Sequence, residues 1–252
     1  MSAICKGCLA TLLALSAAIA VADSETRDLT GFDRVLFALP GELTLRQGGD
    51  FQVVVDAEPE DLKRITTEVS GRSLAVRWKD GVFGMFGGNA EGPIRVEVTL
   101  PTLTALEVAG SGNADAGTWL TDSLELEVNG SGSVRFAELA TEELTLDVSG
   151  SGNVHIAQLD CAVARIEVHG SGDVELSGAA DHQEIEVMGS GDVDVRNLEG
   201  SRVEVEIMGS GDVAVWANEQ LDAEIMGSGD VRYRGSPSVD REEHGSGEVK
   251  PL

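Results

Sequence analysis

A chain of 252 residues is long enough for one large domain or two small ones, with ample material for a core. Its 44 acidic residues against 18 basic ones give a formal charge of -26, which argues against nucleic acid and anionic membranes as partners, since both are polyanions. The 42% hydrophobic content excludes an acidic disordered tail, while 31 glycines and only 4% aromatics demand an aliphatic core on a backbone with recurrent corners.

The first segment reads as a sorting signal. Lys6 is the only charge before Asp23, an apolar run extends from Leu9 to Val21, and small residues (Ala18-Ile19-Ala20 or Ala20-Val21-Ala22) close it. That order of charged, apolar and small residues predicts a secretory signal peptide over residues 1–22, and hence an exported protein. The run is too short and alanine-rich for a good membrane span, so a retained anchor is the weaker reading and the mature chain is expected to lack a transmembrane segment. Cleavage would remove Cys5 and Cys8 and leave Cys161 alone. No intramolecular disulfide would then form, and Cys161 is expected to act as a small buried hydrophobe.

Residues 23–104 alternate apolar and polar positions from residue 28 on, as in Glu42-Leu43-Thr44-Leu45-Arg46 and Ile94-Arg95-Val96-Glu97-Val98. They read as irregular first coils or a β-rich N-terminal cap. Between these runs lies an apolar glycine-rich loop, Gly81 to Gly88, in which Phe83, Met85 and Phe86 are candidate contact residues. Packing over the end of the first coils is the competing reading.

Residues 105–252 are organised by one triplet. Gly-Ser-Gly begins at Gly110, Gly130, Gly150, Gly170, Gly189, Gly209, Gly227 and Gly245, at spacings of 18 to 20 residues. A fixed period of this size marks stacked coils. Two residues before each triplet stand Val108, Val128, Val148, Val168, Val187, Ile207 and Ile225, and four after it a column from Ala114 and Val134 to Val249. These alternate with polar residues at period two, which specifies half-buried strands. Each repeat is then a strand, a glycine corner, a second strand and a short return. The spacing denies the strict six-residue period of a left-handed hexapeptide helix. The expected fold is an all-β, parallel β-helix or β-solenoid with ~20-residue coils, right-handed by the crossover rule. In the last repeat the inward positions become Arg241 and Glu243, as suits a polar terminal coil.

Stacking in register turns outward positions into columns. Three residues before the triplets stand Glu107, Glu127, Asp147, Glu167, Glu186, Glu206, Glu224 and Glu242, all acidic. At ~4.8 Å between coils such a column repels itself. It is screened by solvent or bridged by divalent cations, with Ca2+ the candidate because it accepts clustered carboxylate oxygens. One residue before the triplets the column ends in His169, Met188, Met208, Met226 and His244. This is a candidate partner or self-association stripe, with edge protection as the bland reading and soft-metal binding as the third. Just after the triplets stand Asn113, Ser133, Asn153, Asp173, Asp192, Asp212, Asp230 and Glu248, expected to bond backbone amides beside the corner.

The repeated Gly-Ser-Gly-[Asn/Asp]-Val, the opening Gly31-Phe32-Asp33-Arg34-Val35 and the closing Gly235-Ser236-Pro237-Ser238-Val239 carry a resemblance. Over residues 28–252 the chain resembles the bacterial head-GIN-domain family of auto-transporter adhesins, a domain of unknown function. The resemblance implies a β-helical protein exported to the periplasm or the cell surface, and it brings no catalytic residues. His155, His169, His182 and His244 are scattered, and no nucleophile-base or metal-ligand spacing stands out. The function expected is a non-catalytic, adhesin-like binding module presenting acidic ladders to an extended ligand, a glycan or an envelope protein. A structural scaffold of the envelope is the alternative, and a polysaccharide lyase or hydrolase the less favoured one.

Overall fold

The computed structural model describes residues 23–79 and 90–252. The segment read as a signal peptide and the loop bearing Phe83, Met85 and Phe86 lie outside the described residues. Among the described residues no helix is long and apolar enough to cross a membrane.

The chain is a β-solenoid. From Ala105 onward each coil pairs in parallel with the next, residue over equivalent residue, so that Gly110, Gly130, Gly150, Gly170, Gly189, Gly209, Gly227 and Gly245 form one column. The strand leading into each corner, such as Glu143–Gly150, forms one wall, here called the pre-corner wall. Inward residues of that wall, Leu144, Leu146 and Val148, are fully buried. After the corner, Val134, Phe136, Leu139 and Thr141 turn inward, and the alternation skips at the exposed pairs Ala137-Glu138 and Glu142-Glu143. These skips mark two further bends, which close the coil around its core.

The corner explains the glycine content. At all seven coil-to-coil steps the Ser N–H donates to the carbonyl of the first glycine one coil earlier, at 2.7–2.8 Å. Gly170, for example, sits at φ +136°, where an L side chain is strained, and a Cβ there would overlap the Gly150 carbonyl oxygen. The serine side chains point to solvent, so the middle position is used through its backbone alone.

The fully enclosed rings belong to the first coils, while Tyr233 packs against the core only partly buried in a late one. Phe32, Phe37, Trp78, Trp119 and Phe136 are buried, and after Phe136 the described core contains no aromatic side chain. Gln183 is a polar exception inside this aliphatic column. Its amide donates to the carbonyls of Leu198 (3.1 Å) and Ala180 (3.4 Å), and it fits because Ala164 and Gly200 are its small neighbours.

The N-terminal part stacks out of sequence order. Its elements are β1 (Asp23–Arg27), β2 (Arg34–Ala38), β3 (Glu42–Gln47), β4 (Gln52–Ala57), α1 (Pro59–Arg64), β5 (Ile65–Ser70), β6 (Ser73–Trp78), β7 (Arg95–Leu100), β8 (Ala105–Gly110) and β9 (Asn113–Leu120). β2 pairs in parallel with both β6 and β8, and β3 with both β7 and β9. The β2–β3 coil is thus held between the β6–β7 coil and the β8–β9 coil, although it precedes both in the chain. Antiparallel strands finish this end: β4 pairs with β7, β1 with β4, and β5 with β6. Helix α1 buries Leu62 and Asp61, whose carboxylate accepts the Glu91 N–H (2.7 Å) and pairs with Arg64. The Arg64 guanidinium lies 4.5 Å from the Trp78 ring centre.

The corner has a direct test. Gly170→Ala should cost about 3 kcal/mol or more, combining a strained φ with a backbone overlap. Ser171→Ala should stay within about 0.5 kcal/mol, because that side chain is exposed. Urea-unfolding midpoints of the two variants compare the positions, and equal midpoints would refute this account of the corner.

Candidate binding face on the pre-corner wall

Every second residue of the pre-corner wall points outward. The register aligns Glu107, Glu127, Asp147, Glu167, Glu186, Glu206, Glu224 and Glu242 as one column. One side of it is flanked by Ala105, Glu125, Thr145, Arg165, Glu184, Glu204, Asp222 and Asp240. The other is flanked by Ala109, Asn129, Ser149, His169, Met188, Met208, Met226 and His244. The face is therefore three columns wide and eight coils deep.

The two halves of the acidic column are treated differently. In the first half, Asn129 donates to Glu107 and Glu127 (3.4 Å each), and the Ser149 hydroxyl donates to Asp147 (2.9 Å). Arg34 stands 3.7 Å from Glu125, while Arg165 bridges Glu143 and Glu184, the latter at 2.8 Å. In the fifth, sixth and seventh coils methionine replaces the donor. Among the described residues no hydrogen-bond donor or cation reaches Glu186, Glu204, Glu206 or Glu224. A groove of about 490 Å³ opens here, walled by the ladders themselves from Arg165 and Glu167 to Asp240, Arg241 and Glu242.

Electrostatics register the crowding inside the first half. Burial, then the neighbouring charges of Glu107 and Glu125, push the Glu127 carboxyl above its ordinary value, with the Asn129 hydrogen bond opposing them. At the far end of the molecule the sign reverses. A hydrogen bond from Lys250 leads the causes that hold Asp230 below the usual carboxylate range.

The column after the corner is used structurally. Oδ1 of Asn113, Asn153, Asp173, Asp192, Asp212 and Asp230 each accepts the backbone N–H of the equivalent residue one coil later, at 2.8–3.3 Å. Ser133 makes no such bond, and the Asn153 N–H donates to the Gly132 carbonyl (3.1 Å) instead. The neighbouring groove, about 620 Å³, carries charges of both signs: Arg135, His155 beside Glu175 (3.2 Å), and Asp194. Asp194 is itself paired with Arg196 (2.7 Å).

Cys161 is buried inside the coil, and burial ahead of Asp160 and Asp181 pushes its thiol up to about 12, so the nucleophilic thiolate is suppressed. Met188 and Met208 are half-buried and Met226 is exposed. His169 lies 3.7 Å from Asp147, and His244 lies 3.9 Å from Glu242. Sequence reasoning missed two outward groups. Arg165 joins Glu143 to Glu184 across coils, and Arg234 covers the Trp216 ring (4.2 Å) while reaching back to the Arg196 carbonyl (3.2 Å). A lone aromatic at an outward position is the one signal that marks the second group.

A family model described as "Putative auto-transporter adhesin, head GIN domain" matches residues 31–237. No curated protein matches the chain. Among solved structures, a "putative lipid binding protein" from Parabacteroides distasonis superposes with TM-score 0.86 at 23% identity, covering 92% of this chain and 97% of its own. A "putative adhesin" from Parabacteroides merdae gives TM-score 0.84 at 20% identity, over 92% and 96% of the two chains. A second Parabacteroides distasonis protein, also a "putative adhesin", gives 0.83 at 22%, over 92% and 97%. At these identities the likeness establishes a common fold.

The Glu127 environment sets a pH dependence. Because its folded value lies above the ordinary one, the folded state holds that proton more tightly than the unfolded chain does. Ionisation therefore costs stability above this range, and the cost vanishes as pH falls through the folded value. Glu127→Gln should raise stability at pH 7 by a few tenths to ~1 kcal/mol. The advantage should disappear once pH drops below the ordinary value of 4.5. Urea melts of both proteins across this range give the comparison; a gap that widens on acidification would contradict it.

Proposed function

We propose that this chain, which belongs to the head GIN domain family, is an exported, non-catalytic, adhesin-like binding module of the cell envelope. Its acidic pre-corner wall receives an extended ligand, a glycan or a protein segment, with cations offsetting the carboxylate column. The carrying observation is the run of Glu186, Glu206 and Glu224, which no described donor satisfies, in a groove that crosses several coils. A row of like charges at ~4.8 Å spacing disfavours itself unless a cation or cationic partner intervenes. Ca2+ suits the position because it gathers carboxylate oxygens from several residues, and it would link the wall to an anionic glycan. A cationic protein segment would use the wall directly, and its binding would weaken with salt.

Export and an envelope location rest on the Lys6-to-Ala22 pattern and on the family's description. The relatives' names add adhesion, and in one case lipid binding, as properties attached to those proteins. The non-catalytic reading rests on repetition. Acid–base catalysis draws on two groups whose environments push them apart, whereas the groove of this wall stacks Glu186, Glu206 and Glu224, which share one environment from coil to coil.

Glycan-array and cationic-polypeptide binding, each measured with and without Ca2+, tests the reading. The Glu186→Gln/Glu206→Gln/Glu224→Gln variant should bind the selected ligand at least tenfold more weakly, with unchanged thermal stability or a small gain. Equal binding by variant and native protein would remove the acidic wall from the interaction. Reproducible turnover of a glycoside or uronate substrate would overturn the non-catalytic assignment.

A further inference from the structure

The column beside the unsatisfied carboxylates has its own chemistry. Register places His169, Met188, Met208, Met226 and His244 on five successive coils, one above another. The chain has five methionines in all, and three of them stand in this one column. The corner does not demand them, because the same outward position is Ala109, Asn129 and Ser149 in earlier coils. Burial does not demand them either, since Met188 and Met208 are only half-buried and Met226 is exposed. As a protein-docking patch the stripe is poor: it is one residue wide, with the acidic column on one side and the glycine corner on the other.

We propose that this column binds a soft monovalent metal ion of the Cu(I)/Ag(I) class. Thioether sulfur and imidazole nitrogen are the protein donors that suit such ions, while hard cations prefer the neighbouring oxygens. The spacing agrees with the chemistry. Adjacent rungs lie ~4.8 Å apart at the backbone, so flexible thioethers on neighbouring coils can turn toward one shared ion. Met188 with Met208, and Met208 with Met226, are the adjacent-rung pairs, and Met208 is common to both. Imidazoles end the column on either side. At His169 the Nδ1 atom is withdrawn from solvent without a hydrogen-bond partner, beside Asp147 and Glu167. Glu186, Glu206 and Glu224 add a negative field next to the sulfurs, which raises the local concentration of cations.

Titration calorimetry with Ag+ in chloride-free buffer, and Cu(I) competition against a chromogenic chelator, read the site. Native protein should bind saturably, and the Met188→Leu/Met208→Leu/Met226→Leu variant should lose at least tenfold in affinity. Leucine keeps apolar bulk at positions outside the core, and a circular dichroism melt checks the fold. If the triple variant is unstable, Met208→Leu alone should give the same direction of change. Absence of saturable Ag+ or Cu(I) binding, or binding that survives leucine but disappears in the Glu186/Glu206/Glu224 glutamine variant, would overturn the proposal. So would a native protein that ignores the metal while Met208→Glu changes its oligomeric state, since the stripe would then be a protein contact.

Discussion

The registered columns on the surface of the solenoid depend on one backbone contact: the Ser N–H of each corner donating to the first-glycine carbonyl one coil earlier. It brings successive corners so close that a Cβ at either glycine of the triplet would strike the previous coil. The contact also fixes register. A slip of one residue would turn every inward valine to solvent and every glutamate inward, so the corner and the aliphatic alternation specify the same alignment. Each fully buried Val, Leu or Ile contributes about 1.5–3 kcal/mol. That driving force is spread evenly over the coils, which is why no ring larger than an aliphatic side chain is needed after Phe136.

Strict register has an electrostatic consequence. Stacking like over like suits an apolar interior but sets carboxylate over carboxylate outside. Early coils answer with local donors, Asn129 and Ser149, and with the Arg165 bridge. Later coils place methionine where the donor was. The two outward columns are therefore not independent features: losing the donors leaves the carboxylates unsatisfied, and putting thioethers there creates a second donor set beside them. The column after the corner solves the same problem internally, because its Asp and Asn oxygens accept backbone N–H groups.

Much of this was legible in the sequence because the period is short and the code repeats. Outward acids and the glycine corner are each read from eight registered copies, and the inward aliphatics before the corner from seven. The β2–β3 coil was not legible. It lacks the triplet, and its neighbours β6 and β8 lie far along the chain, so local alternation identifies strands without revealing their order. Gln183 was hidden for a different reason: only the small neighbours Ala164 and Gly200, on adjacent coils, make room for it. The donor pattern at Asn129 and Ser149 stood in plain view, yet its meaning depends on side-chain directions that spacing alone does not supply. Arg165 likewise reads as a solvated position until register sets Glu143 and Glu184 on either side of it.

The ends decide which surfaces are left for binding. A stack of parallel strands exposes an unpaired edge at each end, a template for further strands unless it is blocked. At the start, antiparallel β1, β4 and β5 replace the parallel pattern, and α1 buries Leu62 there. At the finish, Arg241 and Glu243 occupy positions that stack on Ala223 and Ile225. The two side chains stand 3.6 Å apart, Arg241 donates to the Val249 carbonyl and Glu243 accepts the Val249 N–H, so their polar groups are engaged within the last coil. Another coil arriving there would meet charge where every earlier coil met an aliphatic side chain, and desolvating that pair would cost more than the contact returns. At this end the inward positions that drive stacking elsewhere oppose a further coil, so the repeat presents its uniform, registered columns on the walls.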